Sequence, residues 1–458
     1  MLQKTYLKYK PYYKANLHLA LPIVGSQLGH TLVQIADSVI VGHFTNTEQL
    51  AAVSLVNSIF ILILVLGLGI SYGLTPLIAQ ESGRLRKKDC GKLLANSLLI
   101  NLIIGLLLYL SVRFGVFAII DHLNQTPSVV LYAKPYLNLL SLSIIPLLLF
   151  QTFRQFAEGL GFTKQAMFIS IWGNVLNIIL GIILVKGMFG IKPMGVSGVG
   201  VSTLVDRVLM ATTMCVYVLN SNHFKKYLLG FKLRFVNRLR IFKIIKIGAP
   251  VALQYTFEIS AFSGAALLIG TIGDVEQAAH QIAMSLAAMT YMIASGVASA
   301  ATIKTGNNFG KRNFLDLRRS AIGSYHIIIA FMCCTALIFV LFNKQLPYII
   351  SSDVAVVNIA AHLLIIAGFF QLFDGTQVIG LGVLRGLGDV NIPTLITFFA
   401  YWVVGIPVGY LLCFHFNLGV NGIWYGLTFG LLTASILLFL RFQNKTKALN
   451  IIDSSLLH

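Results

Sequence analysis

Apolar runs of about 20 residues recur twelve times along the chain, and no other feature narrows its possible folds so far. A helix of that length, rising ~1.5 Å per residue, crosses the ~30 Å hydrocarbon core of a bilayer. The windows fall at 17–41, 51–77, 92–113, 129–154, 165–186, 195–219, 243–270, 278–303, 319–342, 354–384, 391–414 and 418–441. Only 11% of the residues are charged, less than half the ~25% of soluble domains. The expected class is an all-α membrane protein of twelve transmembrane helices.

Charge sets the orientation. Lys4, Lys8, Lys10 and Lys14 precede the first span, and Arg84, Arg86, Lys87 and Lys88 follow the second. Eight more basic residues lie in the polar stretch from Asn220 to Lys246, and Arg441, Lys445 and Lys447 close the chain. The alternate loops GHFTNTEQ, TIGDVEQ and HFNLG hold no Lys or Arg. The positive-inside rule then puts both termini and the connector in the cytoplasm, as twelve spans require. The net charge of +19 is thus a topology signal, and nucleic acid is excluded as a partner. The basic, aromatic N-terminus lacks a small-residue cleavage pattern after its first apolar run, so an uncleaved first helix is expected. Cys90, Cys215, Cys333, Cys334 and Cys413 show no ligand or disulfide spacing.

The two halves repeat. Gly69 and Gly296, Thr75 and Thr302, Gly83 and Gly310, and Asp89 and Asp316 all stand 227 residues apart. LAAVSLVNS from Leu50 resembles QAAHQIAMS from Gln277, and EGLGFTK from Glu158 resembles RGLGDVN from Arg385. Six spans per half is an even number, so the halves enter the membrane in the same sense. The expected architecture is two six-helix lobes related by a parallel repeat, with the substrate path between them. The division is an N-lobe over 1–219, a cytoplasmic connector over 220–242 and a C-lobe over 243–458.

Acids inside the spans carry the functional reading. Asp37 lies near the far end of LALPIVGSQLGHTLVQIADSVIVG, with Gln34 and Gln27 on nearly the same helix face. Asp206, Glu258 and Asp374 are the other acids within spans. Glu258 is twelve residues past Lys246 and Asp374 eleven before Arg385, depths of ~18 Å and ~16 Å from the cytoplasmic side. Two carboxylates close together in low dielectric repel, so the pair should capture a proton or a metal ion such as Na⁺. No intramembrane Lys or Arg offers either of them an obvious partner. Asp206 adjoins Arg207 in a local polar cluster, although neighbouring helix residues do not face each other. Asn174 and Asn177 share one face of span five, where they could line a cavity or bond across a helix interface. Further cavity or substrate candidates are Gln254, Gln281, Met284 and Phe370. His30 and the glycines Gly67, Gly69 and Gly73 suit packing. No Walker loop, HExxH, GxSxG or dinucleotide fingerprint is present, so enzyme chemistry is not expected and an ion gradient is the expected energy source.

At these residues the chain resembles the multidrug and toxic compound extrusion (MATE) family, in its bacterial NorM-type branch. The resemblance runs through LALPI, the Q-x-x-D-S-x-x-V-G segment around Asp37, LAAVS and GLTPLIAQESG. In the second half it continues through IGAP, QYTFEISAF, QAAHQIA, FFQLFDGTQVIGLGVLRGLGD and GVNGIWYGL. It implies a multi-pass antiporter of the bacterial cytoplasmic membrane that exports amphipathic, often cationic compounds as Na⁺ or H⁺ enters. No cofactor is implied, and a monomer is expected to suffice. The family's cation sites carry over onto Asp37 in the N-lobe and onto Glu258 and Asp374 in the C-lobe. Where relatives can place a tyrosine one turn before the span-ten acid, this chain has Phe370, which removes a possible ligand for Na⁺.

Two other classes suit the chain less well. Flippases of lipid-linked precursors would want cavities rich in Lys or Arg, whereas the intramembrane charges here read as mainly acidic. A non-transporting scaffold would want interaction modules, which the sequence does not contain.

Overall fold

In a computed structural model, which describes residues 2–122 and 126–455, twelve helices are long and apolar enough to cross a membrane. They are α1 (Leu7–Phe44), α2 (Thr47–Gly83), α3 (Lys87–His122), α4 (Pro127–Gly159), α5 (Lys164–Lys186) and α6 (Val196–Asn220). After the connector follow α7 (Arg238–Gly270), α8 (Asp274–Gly310), α9 (Phe314–Leu341), α10 (Val354–Gly386), α11 (Asn391–His415) and α12 (Gly419–Leu449). No strand occurs among the described residues. Each expected span falls within or beside one of these helices. Several run past their apolar windows: α4 reaches Gly159 and α2 reaches Gly83. The extra turns carry Glu158 and Glu81, both buried and ion-paired. The acids within spans are therefore not confined to the four expected, because a bonded carboxylate can lie inside a helix that hydropathy alone cuts short.

The chain packs as two compact units, one of residues 25–252 and the other of 1–24 with 253–458. The halves counted along the sequence and the packing units thus differ at α1 and α7, each of which contributes to both. Pro22 and Pro250 lie inside these two helices, close to where the chain changes unit.

Prolines explain most of the helix irregularities. A proline lacks an N–H and crowds the carbonyl four residues back, so the helix must yield ahead of it. The break in α2 falls at Gly73, three residues before Pro76, and the break in α4 at Ser143, three before Pro146. In α11, Pro407 follows a wide-turned π segment, Phe399–Gly405, that contains the buried Tyr401.

In the 25–252 unit the connector is held against α3. Asn96 gives a hydrogen bond to the Phe235 carbonyl (3.1 Å) and accepts one from the Asn237 amide (2.9 Å). Gly73 packs on Gly248, where a Cβ would stand 2.7 Å from the backbone nitrogen. In the other unit an aromatic core gathers Trp424, Tyr401, Phe370 and Phe262. There α11 and α12 meet backbone to backbone, because a Cβ on Gly426 would overlap Gly409. Gly426→Ala is expected to force that pair apart and destabilise the fold by ~1–3 kcal/mol. A lowered thermal midpoint of the purified protein checks this, and an unchanged one contradicts the packing described.

Candidate functional site

The 25–252 unit holds a cavity of about 570 Å³ walled by α1, α2, α4 and α6. Its α1 wall carries Thr31, Gln34, Asp37 and Ser38 at helical spacing, so Gln34 and Asp37 of the polar stripe face a cavity, whereas Gln27 is not part of its lining. Asp37 is 8% exposed, and its Oδ1 is buried without a hydrogen-bond partner. Opposite chemistry comes from α6, whose Arg207 lines the same cavity. Its guanidinium donates to Ser143 Oγ (2.7 Å) and lies 5.7 Å from the Phe60 ring centroid. Ser143 stands at the α4 break that Pro146 causes, so an irregularity of one helix supplies the anchor for a charge on another.

Asp206 points elsewhere. No ion pair within 4.0 Å joins it to Arg207 among the described residues. Gly173 on α5 leaves the space that Asp206 Oδ1 occupies. Asn174 and Asn177 are buried on the same helix, and Asn177 donates to Thr203 Oγ1 (3.2 Å). Asp206 Oδ1, Asn177 Oδ1 and Asn174 Nδ2 have no partner. A buried polar atom left unpaired costs ~1–3 kcal/mol, so this concentration of them marks a place built for something more than packing.

The second site lies in the unit of 1–24 and 253–458. Glu258 on α7 is 5% exposed and Asp374 on α10 is 3% exposed, close enough for the charge of Asp374 to act on Glu258. Neither forms an ion pair within 4.0 Å among the described residues. Gln371, Asp374 and Gln377 repeat at three-residue spacing on α10, all buried. Asp374 Oδ1 and the Nε2 atoms of both glutamines lack partners. Tyr401, from the π segment of α11, donates to Gln377 Oε1 (3.0 Å). A small void of about 20 Å³, room for one water, is lined by Glu258, Gln254, Tyr291 and Arg385.

The remaining candidates scatter. Gln254 is tied down, donating to the Val390 carbonyl (3.3 Å) and to Thr394 Oγ1 (3.2 Å). Phe370 belongs to the aromatic core, 5.4 Å from Trp424. Met284 packs against that core, and Gln281 is exposed.

Sequence reasoning gave the bases no role. Arg154 lies inside α4, 2.6 Å from Glu158 and just as buried. Arg207 lies inside α6, and Arg385 near the end of α10 reaches toward Glu258. Neither Glu258 nor Asp374 has such a base within 4.0 Å among the described residues, but Arg154 and Arg207 add basic charge inside α4 and α6. The R-x-x-x-E spacing of 154 and 158 was a visible signal, because residues four apart share a helix face. Ending span four at 154 hid it. Tyr401 gave no signal, since its role depends on the widened turn that brings it to Gln377.

Comparison with known proteins sets this geometry in context. The family model described as MatE matches twice, over residues 22–183 and 250–411, reproducing the internal repeat. The chain is 31% identical over 440 residues to the "Probable multidrug resistance protein NorM" of Agrobacterium fabrum, covering 94% of this chain and 93% of that one. It is likewise 31% identical to the "Multidrug resistance protein NorM" of Aliivibrio fischeri, over 93% of both chains. Among solved structures it is similar to the eukaryotic MATE transporter AtDTX14, with a TM-score of 0.87, 20% identity and coverage of 96% of this chain and 98% of that one. A MATE family transporter of the MOP superfamily in an outward-facing conformation gives a TM-score of 0.88 at 22% identity, covering 96% and 97%.

Proposed function

We propose, from the premise that the chain belongs to the MatE family and to its bacterial NorM-type branch, that it is a cation-coupled antiporter expelling amphipathic, often cationic compounds. As a member of that family it is a multi-pass membrane transporter and not an enzyme. The multidrug relatives support small organic molecules as the cargo. We read the protein as residing in the cytoplasmic membrane with both termini inside, and as working as a single chain.

The observation that carries the coupling step is the buried pair Glu258 and Asp374, without an ion-pair partner and with Asp374 Oδ1 unbonded. Burying a carboxylate in that state is unfavourable unless a cation or proton joins it. A proton suits one desolvated carboxylate. Na⁺ prefers several oxygens, which both acids and nearby side chains such as Gln377 supply. Loading from outside neutralises the pair, weakens its hold on a cationic cargo and favours release there. The reloaded inward state then takes cargo from the cytoplasm or the inner leaflet. The ligand shifts these states only by its differential affinity for them.

Asp37 belongs to the same reading as a second cation-responsive acid. Asp37→Asn is expected to lower ion-driven dye efflux at least tenfold at unchanged protein level, measured in everted vesicles. Wild-type rates would remove Asp37 from the transport path. Reconstituted transport of a fluorescent cation, with drug binding followed separately, tests the function as a whole.

A further inference from the structure

The unit of 1–24 and 253–458 holds a cavity of about 300 Å³ that the export reading leaves without a role. Three polar side chains line it: Glu276 in the first turn of α8, His362 on α10 and Asn421 in the first turn of α12. No Lys or Arg is in the lining, and the loops TIGDVEQ and HFNLG beside it contain none. A cation entering it therefore meets no fixed positive charge on its walls.

His362 is arranged as a ligand. Its Nδ1 lies 2.8 Å from the Asn358 carbonyl. A carbonyl only accepts, so the proton of the neutral ring sits on Nδ1 and Nε2 keeps its lone pair. Metal-binding imidazoles are commonly held in this way, by a backbone carbonyl on the other nitrogen. Glu276 forms no ion pair within 4.0 Å among the described residues. A Cβ on Gly273 would overlap Glu276 Oε2, so the glycine leaves that carboxylate its room. Asn421 Oδ1 is buried without a hydrogen-bond partner, a state that is unfavourable until a donor or a cation reaches it. Among the described residues no three His, Cys, Asp or Glu gather in one place. The third protein donor is then the amide, and the cavity leaves space for waters of ~30 Å³ each to complete the shell. One imidazole nitrogen and two oxygens, without a thiolate, suit a divalent transition ion better than Ca²⁺ or Cu⁺.

We propose that this cavity is a binding site for a divalent transition cation such as Zn²⁺, with His362 Nε2, a Glu276 oxygen and Asn421 Oδ1 as its protein ligands. The bound ion ties the starts of α8 and α12 to α10. The site neither depends on the export reading nor supports it.

The test uses the purified full chain, freed of any affinity tag and stripped with a chelator, titrated with Zn²⁺ against a fluorescent zinc indicator. One Zn²⁺ per chain is expected. His362→Gln and Glu276→Gln should each weaken it at least ~tenfold, the scale on which even outer partners of a metal site act. Asn421→Asp, which exchanges the amide for a carboxylate, should tighten it. Zn²⁺ should raise the thermal midpoint of the wild type and leave that of His362→Gln unchanged, since only an ion bound to the folded state stabilises it. Cu²⁺ in the same site should show electron-spin coupling to one imidazole nitrogen, lost in His362→Gln. A wild type that takes up no Zn²⁺ overturns the proposal, whether or not the variants fold. So does uptake unchanged by both His362→Gln and Glu276→Gln, which would assign the ion to others of the ten histidines. Displacement of Zn²⁺ by a comparable concentration of Ca²⁺ would overturn it as a transition-metal site.

Discussion

Glu258→Gln and Asp374→Asn should each abolish ion-driven extrusion, a loss of at least a hundredfold, while the protein still reaches the membrane at wild-type level. Each substitution keeps the side-chain volume and removes the negative charge. The amide cannot take up a proton at physiological pH, and it is a poorer ligand for a cation. A purely structural role predicts something else. If these acids merely packed between helices, an amide of the same volume would pack as well and activity would persist in proportion to folded protein. Efflux by everted vesicles, normalised to protein level, distinguishes the two. Wild-type rates in either variant would sink the C-lobe site.

Arg154→Ala should be the most destabilising single change in the 25–252 unit, by ~3–5 kcal/mol. The side chains of Arg154 and Glu158 are only 3% and 4% exposed and meet at 2.6 Å. Removing the base strands a buried carboxylate with no comparable partner. Replacing both, as in Arg154→Met with Glu158→Leu, removes the stranded charge and should recover much of the loss, because buried ion pairs contribute little over well-packed apolar residues. Thermal unfolding of the single and double variants decides it. A double variant no more stable than Arg154→Ala would mean the pair does more than neutralise itself.

The helical frame was legible because lipid imposes it. A span must be apolar over about 20 residues, and the repeat at 227 residues ties Gly69 to Gly296 and Thr75 to Thr302 without any structural knowledge. The acids at 37, 258 and 374 stood out for the same reason, since a charge in an apolar run is conspicuous. What the sequence concealed is how side chains from different helices meet. Arg207 adjoins Asp206 in the sequence, and helix geometry argues against their pairing without saying which neighbours each meets. The fold turns the two to different neighbours, Arg207 toward Ser143 and Asp206 toward Gly173. The link from Pro146 to the break at Ser143 to the anchored guanidinium crosses two helices, and no pattern within one span contains it. Phe370 shows the converse. Its place one turn before Asp374 suggested the cavity, but an aromatic ring with Phe262 and Trp424 beside it packs as core.

In the export proposed above, a cation gradient acts through buried carboxylates. Proteoliposomes loaded with a fluorescent cation test it most directly, with an inward Na⁺ gradient and an inward pH gradient imposed one at a time. At least one gradient is expected to accelerate dye movement against it, and Asp374→Asn is expected to remove the acceleration. Dye movement at the same rate with both gradients collapsed would contradict it.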